Sequence, residues 1–100
     1  MIVRLTPPAR AQLLAAAAYI HADRPTAARD FRARVDIALR RLVDFPESGR
    51  VIPEFERLGF REVLVDSYRL FYRVQGDAIW VVGVWHDAQI PDEPAEPIGA

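Results

Sequence analysis

One hundred residues, 51% of them hydrophobic, carry thirteen arginines and no lysine against fourteen acids, for a net charge of −1, and there is no cysteine. A chain of this size folds as one domain burying roughly 65% of its unfolded surface. The missing residue types exclude disulfides, thiolate metal sites, cysteine nucleophiles and lysine Schiff-base chemistry. The charge is uneven: residues 1–86 hold thirteen arginines against ten acids (+3), while Asp87, Asp92, Glu93 and Glu96 leave residues 87–100 at −4. A mildly basic body with an acidic end is not the profile of a domain that binds nucleic acid directly. The longest apolar runs, such as Leu13 to Ile20, fall far short of the ~20 residues of a membrane span. Met1-Ile2-Val3-Arg4 leads straight into a strand-like segment without signal-peptide architecture, so a cytoplasmic protein with no membrane partner is expected.

Ile2 to Leu5 reads as a short strand, and Thr6-Pro7-Pro8 as a helix start. Thr6 can cap free N–H groups, and a proline in the first turn forfeits no hydrogen bond. Leu13, Ala16, Ala17 and Ile20 form an apolar stripe at helical spacing. A turn at residues 22–24 leads to Pro25 and a second helix with Ala28, Phe31, Val35, Ala38 and Leu42 on one face. Asp30–Arg34 and Asp36–Arg40 are spaced for i,i+4 ion pairs, and Pro46 ends this helix near Phe45. The two helices make an α-hairpin. Residues 46–59, with two prolines and two glycines, form an irregular connector long enough to carry function.

From Phe60 to His86 the chain reads as three consecutive strands. Tyr68, Leu70, Tyr72 and Val74 alternate with Arg69, Phe71 and Arg73, which puts two arginines around an aromatic on the wetter face. Ala78 to Trp85 is apolar almost without a break and belongs at the centre of the sheet, covered on both sides. Asp66-Ser67 and Gly76-Asp77 supply the turns. The fold class is therefore α+β, in the order β-α-α-β-β-β: a short N-terminal strand, an α-helical hairpin and a three-stranded antiparallel meander. Residues 1–87 form the single domain. The acidic, proline-rich tail 88–100 is expected to stay extended in solvent and add little stability.

Few constellations carry chemistry. His21 and His86 are the only histidines, without metal-binding spacing, so no metal or other cofactor is expected. There is no Gly-rich phosphate loop or Gly-x-Ser-x-Gly elbow, and Ser48 and Ser67 sit in turns. Trp80 and Trp85 read as core. Arg50, Arg61, Arg69 and Arg73 read either as a surface for carboxylate or phosphate, or as a solvated face paired locally with Glu54, Glu62 or Asp66. His86 reads first as a structural histidine at a strand end.

In order, Leu5-Thr6 with Ala9 and Ala11, Ala28 with Phe31, Phe45-Pro46-x-x-Gly49-Arg50, Pro53-Glu54, Arg61-Glu62, Tyr68-Arg69-Leu70-Phe71-Tyr72 and Trp85-His86 resemble the ParE branch of the RelE/ParE toxin superfamily. The resemblance covers residues 2–87. It implies a growth-inhibiting toxin of a type II toxin–antitoxin pair, of the kind that stabilises plasmids. Such a toxin poisons DNA gyrase by binding and is held inactive in a hetero-oligomer with the antitoxin encoded next to it. Arg50, Arg61, Tyr68, Arg69, Phe71, Tyr72 and Arg73 are then the candidate target- or antitoxin-binding residues, around an apolar groove that Phe31 also lines.

A RelE-type ribosome-dependent mRNA endonuclease is the alternative. Glu54, Arg69 and His86 match by position a catalytic Glu/Arg/His set of that branch: a base, a phosphate-binding guanidinium and an acid. The lysines of the RelE site and a tyrosine after the last strand are absent, so no catalytic residue is favoured. Gyrase toxins often carry an arginine just after the final histidine, where this chain has Asp87-Ala88-Gln89. A non-toxic relative that keeps only antitoxin binding is the third reading.

Overall fold

The structure is a computed structural model describing residues 1–97; the last three residues of the tail, 98–100, lie outside the described residues. Strand β1 (Ile2–Leu5) enters helix α1 (Pro7–Asp23) through Thr6, whose Oγ1 accepts from the Ala9 N–H at 3.3 Å. Helix α2 (Pro25–Asp44) begins at its proline and stops at Phe45, before Pro46. Then come β2 (Arg50–Val51), two 3₁₀ turns over Pro53–Leu58 that meet at a kink at Phe55, β3 (Arg61–Val65), β4 (Tyr68–Gln75) and β5 (Ala78–His86). The α+β order expected from the sequence is present. The connector is less irregular than its composition suggests: it contributes a two-residue edge strand and a 3₁₀ cover.

The sheet order is β1-β5-β4-β3-β2. Strand β1 runs parallel to β5, from Ile2 opposite Ala78 to Leu5 opposite Val81, and the other pairings are antiparallel. Both hairpin turns are two residues long and begin on a positive φ, 54° at Asp66 and 60° at Gly76. That conformation suits Gly and, less freely, Asp. A β-bulge on β5, opposite Phe71 and Tyr72 of β4, leaves Val82 without a partner. It lets Val82 and Gly83 face the same way, a shift the strict two-residue period does not predict.

Each sheet face carries its own core. On the first, Leu13 and Ala16 of α1 and Phe31, Val35 and Leu42 of α2 pack on Tyr68, Leu70, Tyr72, Ile79, Val81 and Val84. Leu39 is buried in α2 where the helical stripe predicts Ala38, which stays half-buried. On the second face, Phe71 and Val82 are joined by Ile52 and Phe60, with Phe55, Leu58, Trp80 and Trp85 partly buried around them. The side of β4 expected to be wet is therefore dry.

The open edge of β5 is closed by side chains. Strand β1 pairs only with Ala78–Val81. Beyond it, the Val84 N–H donates to Gln12 Oε1 and the His86 N–H to Gln89 Oε1, both at 2.8 Å. Unpaired strand edges invite another strand, and two glutamine carbonyls fill this one.

A buried arginine–glutamate cluster and the open side of β3

Arg69 is the hub of the second face, and it is not a surface residue. It is 7% exposed and Glu62 is 1% exposed. Arg69 Nε donates to Glu62 Oε1 at 2.7 Å, while Nη1 and Nη2 grip both oxygens of Glu54 at 2.8 and 2.7 Å. Glu62 Oε2 takes a further bond from Arg50 Nε at 2.7 Å. Two guanidinium groups and two carboxylates thus form one neutral network, with the Arg69 guanidinium stacked 5.1 Å from the Phe71 ring. The planar fork of arginine suits this double engagement. The hydrogen bonds from Arg69 hold the Glu54 carboxyl down from its ordinary 4.5 to about 2, against the desolvation that would raise it. Bonds to Glu54 and then Glu62 push the Arg69 pKa up. The solvated basic stripe expected from the alternation of β4 is replaced by internal ion pairing, because the 3₁₀ segment lays Glu54 over the strand.

The remaining candidate residues are dispersed. Tyr68 and Tyr72 are buried under the helices, whereas Phe71 is buried on the opposite face, so they line no common groove with Phe31. Tyr68 packs against Phe31 at 5.1 Å, and burial raises its pKa. The Tyr72 hydroxyl donates to the Pro46 carbonyl at 2.7 Å and accepts from the Gly49 N–H at 3.0 Å, and burial raises its pKa too. A Cβ on Gly49 would lie 2.6 Å from that hydroxyl and 2.7 Å from the Glu62 carbonyl. The Phe-Pro-x-x-Gly-Arg motif is therefore a clasp, with Tyr72 holding its proline carbonyl and glycine amide. Arg61 Nη1 donates to the Gly49 carbonyl at 3.0 Å. Arg73 Nη2 donates to the Leu58 carbonyl at 2.6 Å, its other Nη meets Glu96, and the guanidinium lies 4.6 Å over Phe60.

Glu54, Arg69 and His86 do not converge. In an antiparallel pair, residues directly opposite share a face. His86 stands opposite Tyr68, with the two rings 5.2 Å apart, on the helix side; Arg69 stands opposite Trp85, on the other. His86 Nδ1 accepts from the Ala88 N–H at 3.0 Å and lies 3.2 Å from Asp87 Oδ1, so its near partners belong to the following turn and not to Arg69 or Glu54. The Glu/Arg/His set expected for a nuclease is split across the thickness of the sheet. Among the described residues no three His, Asp or Glu side chains gather as a metal site requires.

Sequence reasoning missed the open side of β3. Strand β2 covers only Arg61 and Glu62, so Val63 to Val65 have no strand neighbour on that side. A groove of about 590 Å³ runs between this edge and α2, lined by Ile37, Leu64, Arg41 and Arg50 among others. Ile37 and Leu64 are each 59% exposed. At its end Arg34 pairs bidentately with Asp66 (2.9 Å) rather than with Asp30 one turn away. Leu64, an exposed apolar residue in the part of β3 that β2 leaves uncovered, is the signal that could have revealed it.

A helical hairpin packed on one face of a mixed five-stranded sheet defines the class: a small α+β domain with the architecture of the toxins that the sequence resembles. A solved structure described as the chromosomal ParDE TA system from P. aeruginosa has the same fold, with a TM-score of 0.68 over 86% of this chain and 95% of that chain at 20% identity. No curated protein matches the chain significantly. The family described as the ParE toxin of the type II toxin–antitoxin system, parDE, matches residues 3–91, and the chain belongs to it.

Proposed function

We propose that this type II toxin acts in the cytoplasm by binding and poisoning DNA gyrase, and that a cognate antitoxin neutralises it by docking along the open side of β3. One observation carries the choice of binder over nuclease. The Glu54/Arg69/His86 set that matches the nuclease branch by position is divided between the two sheet faces, and its arginine is gripped by two carboxylates. Four of the five N–H donors of this guanidinium go to Glu54 and Glu62, so two carboxylates already stand where a phosphate would have to bind. Membership of the ParE family supports the same reading.

The groove between α2 and β3 has what an extended peptide needs: an unpaired strand edge for main-chain hydrogen bonds, exposed Ile37 and Leu64 for apolar side chains, and Arg41 and Arg50 on its walls. Strand addition to such an edge takes its affinity from the main chain and its specificity from the pockets beside it. The β5 edge, filled by Gln12 and Gln89, offers no equivalent. Of the candidate binding residues, Arg50 lines this groove, and Tyr68, Arg69, Phe71 and Tyr72 act as scaffold.

His86→Gln and Glu54→Gln test the choice when expressed without antitoxin. Growth arrest is expected to persist in both, with no mRNA cleavage on translating ribosomes. Loss of a general acid or base would lower activity about 10²–10⁴-fold. Such a loss in a folded His86→Gln protein, together with codon-specific cleavage by the parent, would overturn the binding mechanism.

A further inference from the structure

The helices cover one sheet face, and the 3₁₀ segment covers the β3–β4 part of the other. What lies over the rest of that second face, around Trp80 and Trp85, is the chain's own tail. Pro91 and Pro97 are buried, while Asp92, Glu93, Ala95 and Glu96 between them are exposed. The Glu96 carboxylate meets Arg73, and segment 92–96 roofs a cavity of about 760 Å³ walled by Phe71, Trp80, Val82 and Trp85. The tail expected to extend into solvent is instead pinned near both ends, with unfilled space beneath its middle.

We infer that this tryptophan-lined face is a docking groove for an extended, acidic, proline-bearing peptide, and that residues 91–97 fill it in cis as a displaceable strap. Proline-rich segments suit aromatic grooves because they are already extended and lose little entropy on docking. From Pro91 to Pro97 such a segment spans about 19 Å at about 3.1 Å per residue. The charges agree: the tail is at −4 against a body at +3, and Arg73 receives one of its carboxylates. The strap is held weakly. The Glu96 side of its ion pair with Arg73 is 61% exposed, and an ion pair open to solvent on one side holds only weakly. Tethering compensates, since a short linker gives an effective concentration on the order of millimolar. A partner segment whose side chains fill the cavity displaces the tail and needs no rearrangement of the sheet.

The test uses the full chain and its Glu96→Arg variant, which alters an exposed residue and sets two arginines against each other. A labelled peptide of residues 90–97 with the parental sequence, Glu96 included, is titrated into each while the indole N–H signals of Trp80 and Trp85 are followed by NMR. Loosening the strap is expected to shift both indole signals in the free variant and to make the variant bind the peptide about fivefold more tightly. Equal peptide affinity for the two proteins, or indole signals indifferent to Glu96→Arg, overturns the cis strap. A peptide that binds neither protein overturns the groove.

Discussion

At the scale of single residues, the decisive fact is that an arginine read as a surface group is a core group. Arg69 is held by Glu62, itself almost wholly buried, and by Glu54 above it. A buried ion pair is weak evidence of net stabilisation, but removing one partner leaves the other charge stranded, at a cost of about 3–5 kcal/mol. Arg69→Ala is accordingly expected to destabilise the protein by about 3 kcal/mol in urea unfolding, the lower end because Arg50 still pairs Glu62, and its loss of toxicity follows from that destabilisation rather than from a missing contact. An Arg69→Ala protein of parental stability would contradict the buried network. The Glu54 carboxyl, held at about 2 against an ordinary 4.5, stabilises the fold fully above about 4.5 and progressively less as the pH falls toward 2. Glu54→Gln should therefore flatten the acid limb of a melting-temperature profile between those values; an unchanged limb would remove the pair from the account. The alternation of Tyr68 to Val74 revealed which residues share a face. It could not reveal that Arg69 is dry, because the carboxylates that neutralise it arrive from the 3₁₀ segment and from a neighbouring strand.

Among the elements, the helices and the three long strands were legible because each carries its own signals: first-turn prolines at Pro7 and Pro25, the stop before Pro46, and a two-residue turn at Gly76-Asp77. Residues 46–59 carry no period. Their order comes from contacts far along the chain, with Tyr72 clasping Pro46 and Gly49 and Arg73 holding the Leu58 carbonyl. The same non-local logic explains Arg34, which forgoes its helical neighbour for a fork on Asp66. The short reach of β2 leaves the β3 edge open, and the antitoxin prediction belongs at this scale. Leu64→Glu puts a negative charge at the open β3 edge beside the groove, at a residue 59% exposed on the face away from the helices. Antitoxin affinity, measured by calorimetry, is expected to fall about tenfold or more, with the melting temperature nearly unchanged because the site is exposed. Full affinity in Leu64→Glu would move the antitoxin elsewhere on the surface.

For the molecule as a whole, two cores share one sheet: a helical cover stabilises one face, and the 3₁₀ turns and the tail close the other. Composition alone gave the tail its solvated reading, since prolines and acids rarely form a core; in the fold, residues 92–96 share a cavity wall with Trp80 and Trp85 of the sheet, and Pro91 and Pro97 on either side are buried. The division of Glu54 and Arg69 from His86 is likewise a property of the whole sheet, set by pairing register and invisible in a list of matching positions. It supports the proposed reading, in which surfaces rather than a catalytic centre carry the toxin's action. A DNA gyrase supercoiling and cleavage assay with the purified full-length toxin, run with and without its antitoxin, tests that most directly. The account predicts inhibition or trapped cleaved DNA at micromolar toxin, reversed by stoichiometric antitoxin, with translating ribosomes left intact. Gyrase unaffected at that concentration, alongside mRNA cut at defined codons, would contradict it.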